Sequence, residues 1–321
     1  MQKKDKFIGV DLGGTNIKAG VVTRDGRILH QVSIKTNAHR PADEVIADIA
    51  GAARLVLREH GTDISEIESI GVGSPGAIDD KNGVVIFAGN LNWINVPLAQ
   101  KLSDELGIPA YVSNDANVAA YAEYLFGAGK GRQSLYLITL GTGVGGGYVL
   151  DGKIQSGFHG VGMEIGHMIL VPEGKLCTCG NRGCLESYAS ATGIINMGKD
   201  AMSENPDCEI AIKADYKPEN ITAKLIIDLA KEDDEIALKI FEDYTRYLAY
   251  AVVNIINFND PEVILFGGGV SRAGEFLLDS IKKEVAPRIF CKQAPYSEVL
   301  LSEMGNEAGV IGAALLGEQY S

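Results

Sequence analysis

Residues 10–22 read VDLGGTNIKAGVV, and residues 138–150 read ITLGTGVGGGYVL. Each is an apolar strand, a Gly/Thr turn and a second strand. Each then runs on to an Asp-Gly turn, Asp25-Gly26 in the first and Asp151-Gly152 in the second. Asp-Gly between two extended apolar runs signals a hairpin. Two related units this far apart point to a duplicated domain rather than a short-period solenoid.

Working outward, residues 7–10, 17–22 and 28–34 read as strands. Residues 41–60 set Val45, Ile46, Ile49, Ala53, Val56 and Leu57 on one helical stripe. A strand at 69–72, a helix at 96–106, a strand at 110–113 and a helix at 115–126 follow. Beyond the second hairpin the pattern is mainly helical, at 185–201, 222–231 and 234–258, with 205–220 as a surface loop. A buried strand at 262–266 ends in Gly267-Gly268-Gly269, and Ser271 is placed to cap a helix at 275–289. A strand near Val299 and a helix at 307–316 close the chain. Alternating strands and helices make the class α/β.

A length of 321 residues suits about two domains. With 46% hydrophobic and 22% charged residues, the chain has the balance of a soluble globular protein. A net charge of -13 disfavours a general grip on nucleic acid or acidic membranes. Small anions remain possible ligands, since backbone amides and a metal ion can hold them. The start, MQKKDKFIGVDLGG, has no long apolar segment of the kind a signal peptide needs. The uncharged run 133–150 is as long as a membrane span, but its glycines split it into strand, turn and strand. We therefore expect a cytoplasmic protein with neither a membrane nor a nucleic-acid partner. In that setting five cysteines, an odd number, fit metal binding better than a disulfide framework.

Three stretches carry candidate chemistry. Asp11, Gly13, Gly14 and Thr15 lie at one strand end, and Gly141, Thr142 and Gly143 at another. Glycines there let phosphate approach the amides, and Asp11 could hold Mg²⁺ directly or through water. Gly141, Gly143 and Gly146 also spell GxGxxG, but residues 148–150 continue as strand where a dinucleotide fold needs a helix. Between Glu164 and Glu186, His167, Cys177, Cys179 and Cys184 are the donors a tetrahedral zinc site requires. Asp115 follows Ser113-Asn114 where a strand passes into a helix. It suits either an N-cap or a base that accepts a hydroxyl proton during phosphoryl transfer.

DLGGT at 11–15, GSPG at 73–76, NDAN at 114–117, GTGVGGG at 141–147 and E-x-x-H followed by CxCGxxGCxE at 164–186 together resemble the ROK sugar kinases, most of all the bacterial ROK glucokinases. The resemblance spans nearly the whole chain. It implies an actin-like (ribonuclease H-like), duplicated two-domain fold with an interdomain cleft. The smaller domain would take residues 1–113 and about 304–321, and the larger 114–303 with the zinc loop at 167–184. It further implies ATP-dependent phosphorylation of a hexose, Mg²⁺ with the ATP, structural Zn²⁺, and a homodimer or homotetramer. By position, Asp115 matches the general base, and Asn90, Asn114, Asp115 itself, Glu164, His167 and Glu186 match substrate-binding residues. His167, Cys177, Cys179 and Cys184 match the zinc ligands. Asp11 to Thr15 and Gly141 to Gly143 match phosphate-binding segments, and Gly267 and Gly268 the region beside the nucleoside. Met163 departs from the family, which usually has a small residue there. Sugar-responsive repressors of the family carry an added helix-turn-helix, for which a first strand starting near Phe7 leaves no room.

Overall fold

The computed structural model describes residues 4–319; the outermost expected domain ends, at 1 and 321, lie outside them. Contacts divide the chain into two compact units. The first takes the chain up to Leu135, then Gly147–Met163 and the chain from Glu303; the second takes Tyr136–Gly146 and Glu164–Ser302.

The first unit is built on β1 (Lys6–Leu12), β2 (Asn16–Thr23), β3 (Ile28–Lys35) and β4 (Ile67–Ser74). Three short strands follow, β5 (Ala77–Asp79), β6 (Val84–Ala88) and β7 (Trp93–Val96), and then β8 (Ala110–Asn114). The main sheet has the order β3-β2-β1-β4-β8, while β5-β6-β7 form a small sheet of their own. β1 pairs antiparallel with β2 and parallel with β4, and β4 pairs parallel with β8. Helix α1 (Ala42–His60) buries the stripe expected of it and stops at Gly61, whose φ of 74° suits a left-handed cap. α2 (Leu98–Leu106) and α3 (Asp115–Phe126) complete this stretch.

The second sheet repeats the plan with β9 (Ser134–Leu140), β10 (Val144–Leu150), β11 (Lys153–Ile154), β12 (Val263–Gly267) and β13 (Glu298–Leu301), in the order β11-β10-β9-β12-β13. In both sheets two hairpin strands lie outside the first strand on one side, and later strands add on the other. The duplication legible in the paired hairpins is thus a duplication of sheet topology. Helices α4 (Glu186–Ala189), α5 (Ala191–Glu204), α6 (Glu209–Lys213), α7 (Ala223–Lys231), α8 (Glu235–Asn259) and α9 (Glu275–Val285) belong to the second unit, and α10 (Ala308–Ala314) returns to the first.

The contact division differs from the sequence boundary at 113/114: α3 and residues 147–163 group with the first unit. Close packing is the reason. A Cβ on Gly312 of α10 would lie 1.7 Å from Val118 O of α3, and one on Gly71 of β4 would lie 1.8 Å from Ala313 O. Gln319 accepts from Ile154 N–H at 3.0 Å and donates to Gly152 O at 2.8 Å, which ties the 147–163 segment to the chain's end.

Other expectations are corrected. The helix expected over 185–201 breaks at Ser190, whose extended backbone and side chain cap α5 through Gly193 N–H. The supposed loop 205–220 contains α6. Ser271 caps no helix; its Oγ donates to Gly268 O within a short 3-10 turn, and α9 begins only after Gly274. α9 ends at Val285, ahead of a 3-10 turn holding Pro287. The run 133–150 is β9, turn and β10, and no helix among the described residues is long and apolar enough to cross a membrane.

Candidate active site

The parallel strands of the first sheet bring three motifs side by side. Asp11 pairs in register with Gly73, Gly73 with Ser113, and Ser74 with Asn114. DLGGT, GSPG and NDAN therefore emerge together at the carboxyl ends of β1, β4 and β8, where open α/β sheets bind ligands. Gly14 lies beside Asn90, its ideal Cβ position 3.9 Å from that side chain. Asn90, Thr15 and Asp115 are exposed. Asp11 Oδ2 pairs with Lys18 Nζ at 3.1 Å.

The cap of α3 is Asn114, not Asp115. Asn114 Oδ1 accepts from Ala116 N–H at 2.9 Å and Asn117 N–H at 3.3 Å, and its Nδ2 donates to Gly76 O at 3.1 Å. With both oxygen lone pairs engaged, Asn114 can offer a ligand an N–H but no further acceptor. Asp115 is the first helical residue, and its Oδ1 accepts from Ala116 N–H at 2.8 Å.

In the second unit the Gly141-Thr142-Gly143 turn is held from several sides. Ala191 N–H donates to Gly141 O at 2.8 Å, Thr192 Oγ1 donates to Thr142 O at 2.8 Å, and Val144 N–H donates to Glu186 Oε2 at 3.0 Å. Gly143 leaves room for that carboxylate: a Cβ would sit 2.2 Å from Glu186 Oε2 and push it aside. Gly268, with φ of 88°, presses on the end of β9, where a Cβ would lie 2.5 Å from Leu140 O. A cavity of about 530 Å³ opens between Leu140–Thr142 and Gly269–Ala273, with Ala191, Ala223 and Ile227 as apolar wall. Lys224, Asp228, Lys231 and Arg272 also line it. Those four are missed by sequence reasoning, because charged residues on a helix face or in a turn look solvated until the fold sets them around a hollow.

His167, Cys177, Cys179 and Cys184 come together as expected, their donor atoms all within 4.8 Å of one another. His167 Nδ1 lies 3.6 Å from Cys177 Sγ, and Cys179 Sγ lies 3.7 Å from Cys184 Sγ. A tetrahedron with metal–sulfur distances of about 2.3 Å has edges of about 3.8 Å, so the donor set fits zinc. Burial pushes the Cys177 thiol up, but hydrogen bonds with Cys179, His167 and Cys184 bring it down to about 7. Burial and the neighbouring thiols push Cys184 up to about 12. Three thiolates cannot share this space without a cation, which is what a metal supplies.

Both glutamates flank the cluster. Thr178 Oγ1 donates to Glu186 Oε1 at 3.3 Å, which links the cysteine loop to the Gly141–Gly143 turn through one side chain. Glu164 is open to solvent on one side but crowded by protein on the others. Burial raises its carboxyl and Glu186 adds to that, while His167 opposes it. Met163 adopts a left-handed φ of 65°, a conformation that is costly for a residue with a Cβ.

The predicted site residues thus fall into two groups. Asp11 to Thr15, Asn90, Asn114 and Asp115 belong to the first unit, and the remainder belong to the second.

Comparison with known proteins gives one family. The ROK family model matches residues 7–320. A glucokinase of Halalkalibacterium halodurans is 40% identical, covering 98% of this chain and 95% of its own length. One of Thermotoga maritima is 39% identical, covering 97% and 96%. The crystal structure of a ROK family glucokinase from Streptomyces griseus, in complex with glucose and AMPPNP, superposes with a TM-score of 0.84 at 37% identity, covering 98% of this chain and 99% of that one. On sequence and structure alike, the chain belongs to the ROK family.

Proposed function

We propose that the chain is an ATP-dependent glucokinase that converts glucose to glucose 6-phosphate. The near-full-length likeness to glucokinases carries this, and the placement of Asp115 supports it: an exposed carboxylate at a helix start that does not serve as the cap. In the proposed reaction the sugar's 6-hydroxyl oxygen forms a bond to the γ-phosphorus as the bond to the ADP oxygen breaks, and Asp115 takes the hydroxyl proton. The transition state is loose, so a carboxylate in good position suffices. Asn90, Asn114, Glu164, His167 and Glu186 would hold sugar hydroxyls. The Asp11–Thr15 and Gly141–Gly143 loops would hold phosphates, and Gly267, Gly268 and the cavity beside them the nucleoside.

Asp11 would hold Mg²⁺, which neutralises charge on the transferring phosphates. His167, Cys177, Cys179 and Cys184 would hold Zn²⁺ with no position left for catalytic water, so its contribution is structural. His167 Nδ1 faces that cluster, and its other nitrogen is then an N–H donor for the sugar. A cytoplasmic homodimer or homotetramer without a nucleic-acid partner completes the proposal.

Initial rates with ATP across glucose, N-acetylmannosamine, N-acetylglucosamine, fructose and allose test it. A clear preference for glucose is expected, with turnover largely lost in Asp115→Asn. Preference for another sugar would move the assignment within the sugar kinases. No turnover of any sugar would favour a sugar-responsive regulator.

A further inference from the structure

Glu123 is buried in α3, eight residues beyond Asp115 and about 12 Å along the helix axis. Backbone N–H groups hold its carboxylate. Its Oε2 accepts from Ala128 N–H at 3.1 Å and Glu303 N–H at 3.2 Å, and its Oε1 accepts from Met304 N–H at 2.7 Å. Its carbonyl takes two more, from Gly127 N–H at 3.1 Å and Gly129 N–H at 3.0 Å. The loop is shaped around this carboxylate: a Cβ on Gly127 would lie 2.1 Å from Oε2 and 2.9 Å from Met304 Cγ.

Only a carboxylate meets this demand. Both oxygens must accept, and glutamine would turn an NH₂ group against N–H donors. Burial raises the carboxyl, and the N–H groups of Met304, Glu303 and Ala128 pull it back. A buried acid is a costly way to hold a loop, so its geometry points to a specific task.

The residues it grips begin the segment that re-enters the first unit at Glu303. Directly after them, a short turn over Gly305–Glu307 leads into α10, which packs on both α3 and β1. The first turn of α10 abuts Asp11: a Cβ on Gly309 would lie 3.1 Å from Asp11 Cγ. One end of α3 therefore presents Asp115, while the other fixes the entry of the helix that backs Asp11.

We infer that Glu123 is a positioning residue for the two carboxylates Asp11 and Asp115, setting the start of α10 against α3. This rests on the kinase assignment above. Glu123→Gln removes an acceptor, and Gly127→Ala keeps the carboxylate but displaces it. Each variant is purified, its melting temperature and folded fraction are measured, and its steady-state kinetics with glucose and MgATP are compared with wild type. In both, kcat per folded molecule is expected to fall roughly 10- to 100-fold, the scale of a sub-ångström to 1 Å misplacement. Either KM should change by no more than about threefold, and the Mg²⁺ concentration for half-maximal rate should rise. A lower melting temperature with kcat per folded molecule unchanged overturns the inference, as does an effect confined to KM. Should Glu123→Gln fail to fold, Gly127→Ala alone decides. Absence of turnover in the wild type sinks the kinase assignment and this inference with it; normal wild-type turnover with unaltered variants sinks this inference alone.

Discussion

His167 presents Nδ1 to Cys177 Sγ at 3.6 Å, so its ring is oriented by the four-donor cluster and Nε2 is the nitrogen not committed to it. If the metal sets this orientation, its loss should act on the sugar before the nucleotide. Cys179→Ser is the mildest way to break the cluster, since Cys179 is its exposed cysteine and Cys177 and Cys184 are buried. The variant should bind zinc poorly by metal analysis and show a KM for glucose raised roughly tenfold. Its KM for ATP should stay within about twofold. Equal loss of affinity for both substrates would make the metal a general brace of the second unit.

Asn114 and Asp115, adjacent in sequence, take different places at the start of α3: Asn114 is the cap and Asp115 the first helical residue. Asn114 caps α3 through Ala116 and Asn117. Asn114→Ala should therefore cost about 1 kcal/mol of stability, seen as a lower urea midpoint, besides any loss in sugar binding. Asp115→Asn should leave the midpoint nearly unchanged and lower kcat by roughly 10²- to 10⁴-fold. A stability loss in Asp115→Asn equal to that in Asn114→Ala would return Asp115 to a structural role.

The sequence exposed this division only in part, and the reason is physical. Strand-turn-strand motifs are local, so both glycine hairpins and α3 could be bounded from neighbouring residues alone. The donor cluster was legible because its four residues are close in sequence and chemically distinctive. The small sheet of β5, β6 and β7 was not: its strands have three to five residues, and left-handed asparagines at Asn92 and Asn95 interrupt any alternation. Nor was the cavity beside Gly269, since its wall is assembled from β9, α5, α7 and the turn before α9, elements distant in the chain. Glu123 looked like one more polar helix residue until the return of Glu303 and Met304 buried it.

Gly143 is a steric test of the link between the cysteine loop and the second glycine turn. Its Cβ would meet Glu186 Oε2 at 2.2 Å, so Gly143→Ala must push that carboxylate off Val144 N–H. A drop in kcat/KM for glucose of roughly 100-fold is expected, with a far smaller change in melting temperature. If Glu186→Gln, which keeps the shape, is equally inactive, charge at Glu186 matters as well as its position.

The cavity of about 530 Å³ between the β9 turn and Gly269–Ala273 offers a separate test of nucleoside binding. Ala223 is half-buried at the start of α7 and lines this cavity without packing in the core. Ala223→Trp should fill the space and raise the KM for ATP roughly tenfold, about 1.4 kcal/mol, while the KM for glucose holds. Unchanged ATP kinetics would place the nucleoside elsewhere.

Met163 holds a left-handed backbone that a methionine seldom adopts. A left-handed φ of 65° at a non-glycine, non-asparagine residue costs on the order of 1–2 kcal/mol. Met163→Gly relieves that strain but makes the unfolded chain more flexible, an offset of about 0.5–1 kcal/mol. The net expectation is a gain of about 0.5–1 kcal/mol, read as a higher urea midpoint. Because Glu164 is the next residue, the same variant also tests whether the strain serves the site. Higher stability with an unchanged KM for glucose would mean that it does not, whereas higher stability with a raised KM would mean that methionine holds Glu164 in its working position.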